Sequence, residues 1–250
     1  MAPITLLTDF GDFYVSSLKG TLCSLAPDRP VVDLYHDVPR QGVRAAAFVL
    51  SNVVSTFPAG TVHCVSVDSS AGADERPIVI SAGGQHLVGR DNGALLPASR
   101  RLGTPTVYAP SMEVEPTMYH GRDLVAHVAG SIAAGNFSLG NPVDDYADYS
   151  IPDPTVVDGA IEGEAVYVDR YGNVLTNVPA ELLLDRTSYG ETITVNETPV
   201  SVEDGFGSTE PGEAACKVGS YGNVVLAVNG GSGSDRFGIT IGDRIQIETE

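Results

Sequence analysis

Three short polar runs in this sequence each follow a β-branched, apolar run. Thr8-Asp9-Phe10-Gly11 follows residues 4–7, His36-Asp37 follows residues 31–35, and Asp68-Ser69-Ser70-Ala71-Gly72 follows residues 62–67. An ionised carboxylate there could accept a pair of hydroxyls, or orient a water molecule and take its proton. Any one of these Asp residues also reads as turn or cap chemistry. Three at successive strand ends point further, because ligands of open α/β sheets bind outside the carboxyl ends of the strands. Other polar clusters are Gly89-Arg90-Asp91-Asn92-Gly93, His120-Gly121-Arg122-Asp123 at the start of a helical run, and Asp169-Arg170-Tyr171-Gly172-Asn173 with Thr176-Asn177. Asp91-Asn92-Gly93 alone reads as a turn. A lone His such as His120 is more often structural, and its place at a helix start adds only modestly to a functional reading.

The elements that must carry these residues come in two textures. Up to about residue 145, strand-like runs (4–7, 31–35, 62–67 and 77–81) alternate with helical runs (12–25 and 42–57), and Val15, Leu18, Leu22 and Leu25 share one helix face. Strand and helix in alternation imply right-handed crossovers and a mainly parallel sheet. Residues 146–159 are acidic, proline-rich and without period, as a linker is. From 160 to 250, short runs (165–168, 192–195, 224–228 and 244–247) are separated by Gly, Asn and Asp turns. The expected fold is therefore an α/β N-terminal domain over 1–145, a linker over 146–159, and a smaller antiparallel β-barrel-like domain over 160–250.

Composition narrows the partners. The 250 residues carry a formal net charge of −18, with 42% apolar residues, enough for a real core. Such an acidic surface repels phosphodiester backbones, so nucleic acid is not an expected partner. Lys19 and Lys217 are the two lysines, against 12 arginines; this pattern suits a salt-rich cytoplasm, where screening relieves carboxylate repulsion. Cys23, Cys64 and Cys216 form no C-x-x-C pair, so neither a disulfide framework nor a thiolate zinc site is suggested. The N-terminus lacks a basic leader pattern and no apolar run approaches a bilayer span, so neither export nor a membrane is expected.

The motifs also occur in a familiar order: Ile4 to Gly11, Tyr35-His36-Asp37-Val38-Pro39, Val67-Asp68 with Gly72 and Arg76, Asp91-Asn92-Gly93, His120-Gly121-Arg122-Asp123, Tyr171 to Asn177, and Gly219-Ser220-Tyr221-Gly222. Over essentially its whole length the chain resembles the S-adenosyl-L-methionine (SAM) hydrolase family, also called SAM hydroxide adenosyltransferase, which is related to the fluorinase. The resemblance implies displacement at the ribose C5′ by water or hydroxide, giving adenosine and L-methionine. It also implies a homotrimer, with each ligand between one subunit's N-terminal domain and its neighbour's C-terminal domain. A sulfonium is an excellent leaving group, so no cofactor is expected; the site must supply an oriented water in a dry pocket.

Carried over by resemblance, Asp68, Arg76 and His120 form the water-handling set. Asp9 takes the ribose hydroxyls, Asp169 and Ser220 hold the methionine ammonium and carboxylate, and Asn173 and Gly230 meet the adenine, on which Tyr171 stacks. Tyr221 stands where the fluorinase has an arginine. One departure lies in the loop Asp68 to Arg76: the family usually reads Asp-Pro-Gly-Val-Gly-x-x-Arg, whereas here the arginine falls one place late and Glu75 takes its ungapped position. Either the loop has a one-residue insertion or Arg76 is not the catalytic group; insertion is preferred, because Glu75 beside Asp68 would repel hydroxide. Three alternatives stand beside the hydrolase. They are a halide-using, chlorinase-like enzyme, disfavoured by Asp68 where the fluorinase has tyrosine; a SAM- or adenosine-binding sensor without turnover; and a metal hydrolase on Asp9, Asp12, His36 and Asp37, whose spacing matches no metal signature.

Overall fold

The β-branched runs of the first half assemble into one six-stranded sheet, built from β1 (Ile4–Thr8), β2 (Val31–Tyr35), β3 (Val62–Ser66), β4 (Pro77–Ala82), β5 (Gln85–Arg90) and β6 (Thr106–Tyr108). The computed structural model describes residues 1–69, 76–110, 119–205 and 208–249. By its contacts the chain divides into two units, Met1–Ser150 and Ile151–Glu250. In the first, the strand order is β2-β1-β3-β5-β4-β6. β1 runs parallel to β2 and β3, and β3 to β5, while β4 is antiparallel to both β5 and β6.

The sheet is thus mostly parallel, as expected. β5 and β6 were not anticipated. β4 and β5 form a hairpin closed by Gly83-Gly84, a tight-turn signal that the sequence reading passed over.

Chain direction places the functional edge. The first crossover, through α1 (Asp12–Leu25), carries the chain from β1 to β2 on one side; the second, through α2 (Val43–Val53), brings it back past β1 to β3 on the other. The order of strands therefore reverses between β1 and β3, and a crevice opens at their carboxyl ends. The packing that holds this edge is mostly apolar, although Thr5, His63, Gln85, Ser51 and Asn52 are buried within it. Val15, Leu18 and Leu22 of α1 pack with Ile4, Leu6, Cys64, Val79 and Val88 of the strands, and α2 buries Ala45, Ala46, Ala47, Phe48 and Leu50. α3 (Leu96–Leu102) packs beside α2, and a π-helical segment, Gly121–Ala126, that runs on into α4 (His127–Ala133) packs beside α1.

The second unit contains β7 (Thr155–Val157), β8 (Ala160–Val168), β9 (Val174–Pro179), β10 (Thr192–Val195), β11 (Thr198–Glu203), β12 (Ala214–Val218), β13 (Asn223–Val228) and β14 (Arg244–Glu248), with short helices α5 (Ala180–Leu184) and α6 (Gly233–Phe237). Pairing of β14 with β8 closes seven of these strands into a barrel, and β7 adds to the outside of β8. β7 falls within the stretch read as linker. All the pairs are antiparallel except β11 with β12.

Strict alternation explains the closure: in β14, Ile245 and Ile247 point into the core while Arg244, Gln246 and Glu248 are exposed. Ile161, Val174, Val195, Val202, Cys216 and Leu226 fill the interior. Cys23 is exposed, Cys64 and Cys216 are buried, and all three are free thiols; burial pushes the Cys64 and Cys216 thiols up to about 12. Among the described residues no helix is long and apolar enough to cross a membrane.

Leu226 is wholly buried at the centre of the barrel, so Leu226→Ala should cost about 2–5 kcal/mol. Exposed Gln246→Ala should stay within about 0.5 kcal/mol. Denaturant midpoints followed through the barrel's unfolding check both values.

Candidate functional site

Asp9 lies one residue beyond β1 and Asp68 two beyond β3, so the crossover that reverses the strand order also sets the two carboxylates at one crevice. The Asp9 amide donates to the Ser66 carbonyl at 3.4 Å, tying the two strand ends together. Its carboxylate is fixed from the opposite side, with Oδ2 accepting the Gln41 amide at 2.8 Å. Gln41 sits at φ +59°, a left-handed conformation that a residue with a side chain seldom adopts. Burial pushes the Asp9 carboxyl above its ordinary range, opposed by the Gln41 bond, and the nearby charge of Asp68 raises it further, against a smaller pull from Arg40.

The turn after β5 does more than reverse the chain. Asn92 Nδ2 donates to the Val67 carbonyl at 2.8 Å, which pins the residue immediately before Asp68. Asp91 accepts the Ala147 amide at 2.7 Å and Arg76 Nε at 2.8 Å, and Arg76 Nη2 donates to the Asp145 carbonyl. The Arg76 guanidinium is engaged by Asp91 and the Asp145 carbonyl. The cause is register: Pro77 pairs with Arg90 in the β4–β5 hairpin, which brings Arg76 alongside Asp91. The cation beside Asp68 is instead Arg90, with Nε 3.7 Å from Oδ1. Of the loop in question, residues 70–75, Glu75 among them, lie outside the described residues.

His120 opens the π-helical segment. The next residue, Gly121, rests on the end of β3 so closely that a Cβ there would lie 2.6 Å from Ser66 Oγ. Lack of a side chain at 121 thus lets the start of this helix, next to His120, lie close against the end of β3. Arg122, in the same motif, is taken up by Asp123 in a two-pronged ion pair of 2.5 and 2.9 Å, and lies 5.2 Å from the Tyr119 ring centroid.

Sequence reasoning missed an aromatic group beside Asp9: Phe10, Tyr14 and Tyr119 meet edge to face at centroid distances of 5.8–6.4 Å, and the Tyr119 hydroxyl donates to the Tyr14 carbonyl at 2.6 Å. The signal was Phe10 and the Phe13-Tyr14 pair on either side of Gly11-Asp12. Of the alternative metal set, His36 is held by Thr8 Oγ1 and by Asp33, each at 3.0 Å, and Asp9 holds the Gln41 amide. Among the described residues no three His, Cys, Asp or Glu are grouped to share a cation.

In the second unit, the β8–β9 hairpin organises the remaining candidates. Asp169 Oδ1 accepts the Tyr171 and Asn173 amides at 2.8 and 2.9 Å, and Oδ2 accepts Asn173 Nδ2 at 2.8 Å. Gly172, at φ +79°, lies so near α6 that a Cβ would sit 2.8 Å from Ser232 Cα. Two clefts adjoin at Asn173. One, of about 570 Å³, is lined by Tyr171, Asn173, Asn229, Gly230 and Ser232 among others; the other, of about 340 Å³, by Asp169, Asn173, Lys217, Ser220 and Tyr221 among others. All six candidate residues of this unit line one cleft or the other, and Tyr171 is 72% exposed, its ring open to a planar partner. Lys217 was overlooked as a candidate: it is mostly buried, and burial lowers the pKa of its ammonium.

Comparison with known proteins agrees with this geometry. The pattern of the SAM hydroxide adenosyltransferase N-terminal domain matches residues 4–141, and that of the C-terminal domain of the same family matches residues 163–246. A Salinispora tropica protein named (R)-S-adenosyl-L-methionine hydrolase is 36% identical, over 99% of this chain and 99% of its own. A Nocardia brasiliensis fluorinase is more distant, at 25% over 98% and 96%. The crystal structure of an uncharacterized conserved protein from Thermotoga maritima superimposes with a TM-score of 0.87 at 29% identity, covering 98% of this chain and 99% of that one. Matched in order through both of its units, the chain belongs to the SAM hydroxide adenosyltransferase family.

Proposed function

We propose that this protein hydrolyses SAM to adenosine and L-methionine. The observation that carries the reading is the pair of carboxylates, Asp9 and Asp68, at the carboxyl ends of β1 and β3 where the strand order reverses. It is supported by the hydrolase named among the relatives. Water attacks the ribose C5′, the C5′–S bond breaks with its electron pair moving to sulfur, and the water's proton passes to the Asp68–His120 side of the site. Asp9, fixed by Gln41, takes the ribose hydroxyls as a bidentate acceptor. Tyr171 stacks on adenine while Asn173 and the Gly230 backbone meet its edge. Asp169 and Ser220 hold the amino-acid end, and Lys217 in their cleft supplies the positive charge that Tyr221 does not. Asp68 separates this reading from halide transfer, since a carboxylate repels an incoming halide but orients water.

We place each ligand between the first unit of one subunit and the second unit of its neighbour in a homotrimer. The water and ribose groups lie on one unit and the adenine and methionine groups on the other, as such a division requires.

Incubation with SAM, followed by chromatography, should show adenosine and methionine appearing together, with or without EDTA. Recovery of 5′-chloro-5′-deoxyadenosine alone, from chloride buffer, would establish the halide reading instead. Asp9→Ala should weaken adenosine binding in calorimetry by about 1.5–3 kcal/mol for each charged hydrogen bond lost. Only ionised Asp9 accepts both hydroxyls, and burial raises its pKa; wild-type affinity should therefore fall on acidification at a higher pH than an ordinary carboxylate would give. Subunit sharing has its own signature. Asp68→Asn and Asn173→Ala, each inactive alone, should regain activity when refolded together, and mixtures that stay inactive would place the whole site within one subunit.

A further inference from the structure

We propose that Arg90 is the positioning residue for Asp68 in this enzyme, holding its carboxylate against the attacking water in the role that sequence spacing assigns to Arg76. The inference rests on the hydrolase reading above and starts from strand direction. β5 runs parallel to β3, and Arg90 is its last residue, so Arg90 and Asp68 emerge at the same edge of the sheet. The Arg90 side chain is 2% exposed and its Nε lies 3.7 Å from Asp68 Oδ1, while Asp68 keeps 52% of its side chain open to the crevice.

A guanidinium is stable at such depth only beside charge or acceptors that compensate its lost hydration. Asp68 provides that charge as an ion pair at 3.7 Å, and Arg90 in return draws the carboxylate toward its side of the crevice. It also sets a positive charge against the two negative ones, Asp9 and Asp68, which feel each other across the crevice. Arg76 is placed otherwise, with its guanidinium on Asp91 and the Asp145 carbonyl. In the reaction Arg90 neither gives nor takes a proton; it fixes the group that faces the water as C5′–O forms and C5′–S breaks.

The test is a comparison of Arg90→Gln, Arg90→Lys, Asp68→Asn and the Arg90→Gln/Asp68→Asn double variant, with SAM turnover and adenosine calorimetry on each. Arg90→Gln should lower kcat roughly ten- to a thousandfold, with KM and adenosine affinity within about twofold of wild type. Arg90→Lys keeps the charge without the planar fork and should recover part of that loss, with a kcat above that of Arg90→Gln and below that of wild type. If Arg90 works through Asp68, the double variant should be little worse than Asp68→Asn alone; full multiplication of the two effects would overturn the assignment, as would an Arg90→Gln enzyme of normal kcat. A purely structural arginine would lower stability and affinity together, without a kcat-specific loss. Should Arg90→Gln not fold, Arg90→Lys decides: a reduced kcat at unchanged KM supports the role, and an unchanged kcat overturns it. A kcat loss confined to Arg76→Ala would return the role to Arg76. A wild-type chain that releases no adenosine would instead overturn the hydrolase reading itself.

Discussion

Like charges held close together set the terms for the first unit. The sheet's topology forces Asp9 and Asp68 to the same crevice, where burial raises the cost of ionising Asp9 and the nearby charge of Asp68 raises it further. The surrounding structure supplies the compensation. The Gln41 amide reaches Asp9 from a turn held in a left-handed conformation, Arg40 lends its field, and Arg90 lies against Asp68 from the neighbouring strand. The strain at Gln41 is intelligible in these terms: in that conformation its amide is aimed at Asp9, and a carboxylate with a fixed donor keeps its orientation.

Placement of the site by strand ends explains both what the sequence revealed and what it hid. Asp9 and Asp68 were legible because an apolar β-branched run followed at once by Asp is a local signal, and the crossover rule turns two such signals into one crevice. Tyr171, Asn173, Ser220 and Gly230 were legible only by resemblance, since a Gly-Asn turn in a barrel is ordinary by itself. Arg90 was hidden inside Gly89-Arg90-Asp91-Asn92-Gly93, which reads as a turn unless β5 is recognised, and β5 was missed because the glycines before it were not taken as a hairpin signal. That one omission propagated. With no β4–β5 register, nothing in the sequence showed that Arg76 lies beside Asp91. The barrel was easier, because alternation such as that of β14 is carried by every strand and needs no long-range pairing to be read.

Asn92 illustrates how a residue of structural appearance supports the site. Its carboxamide closes the turn through Ala94 and at the same time holds the Val67 carbonyl, so the exits of β3 and β5 are clamped to each other. Asp68 follows Val67 directly and Arg90 precedes the turn by two residues. The clamp therefore limits the spread of Asp68 and Arg90 without touching either.

The overall charge of the protein fits the direction of the proposed chemistry. SAM carries a sulfonium and an ammonium against one carboxylate, so it approaches as a cation, whereas adenosine is neutral and methionine is a zwitterion. A chain with a net charge of −18 attracts the first and is indifferent to the other two. Breaking the C5′–S bond removes the sulfonium charge, and with it the part of the attraction that long-range charge provides. The acidic surface thus favours capture over retention, by a margin that rising ionic strength reduces. Between the close-lying Asp9, Asp68 and Arg90, shorter than a screening length apart, salt has less effect than it has on that long-range attraction.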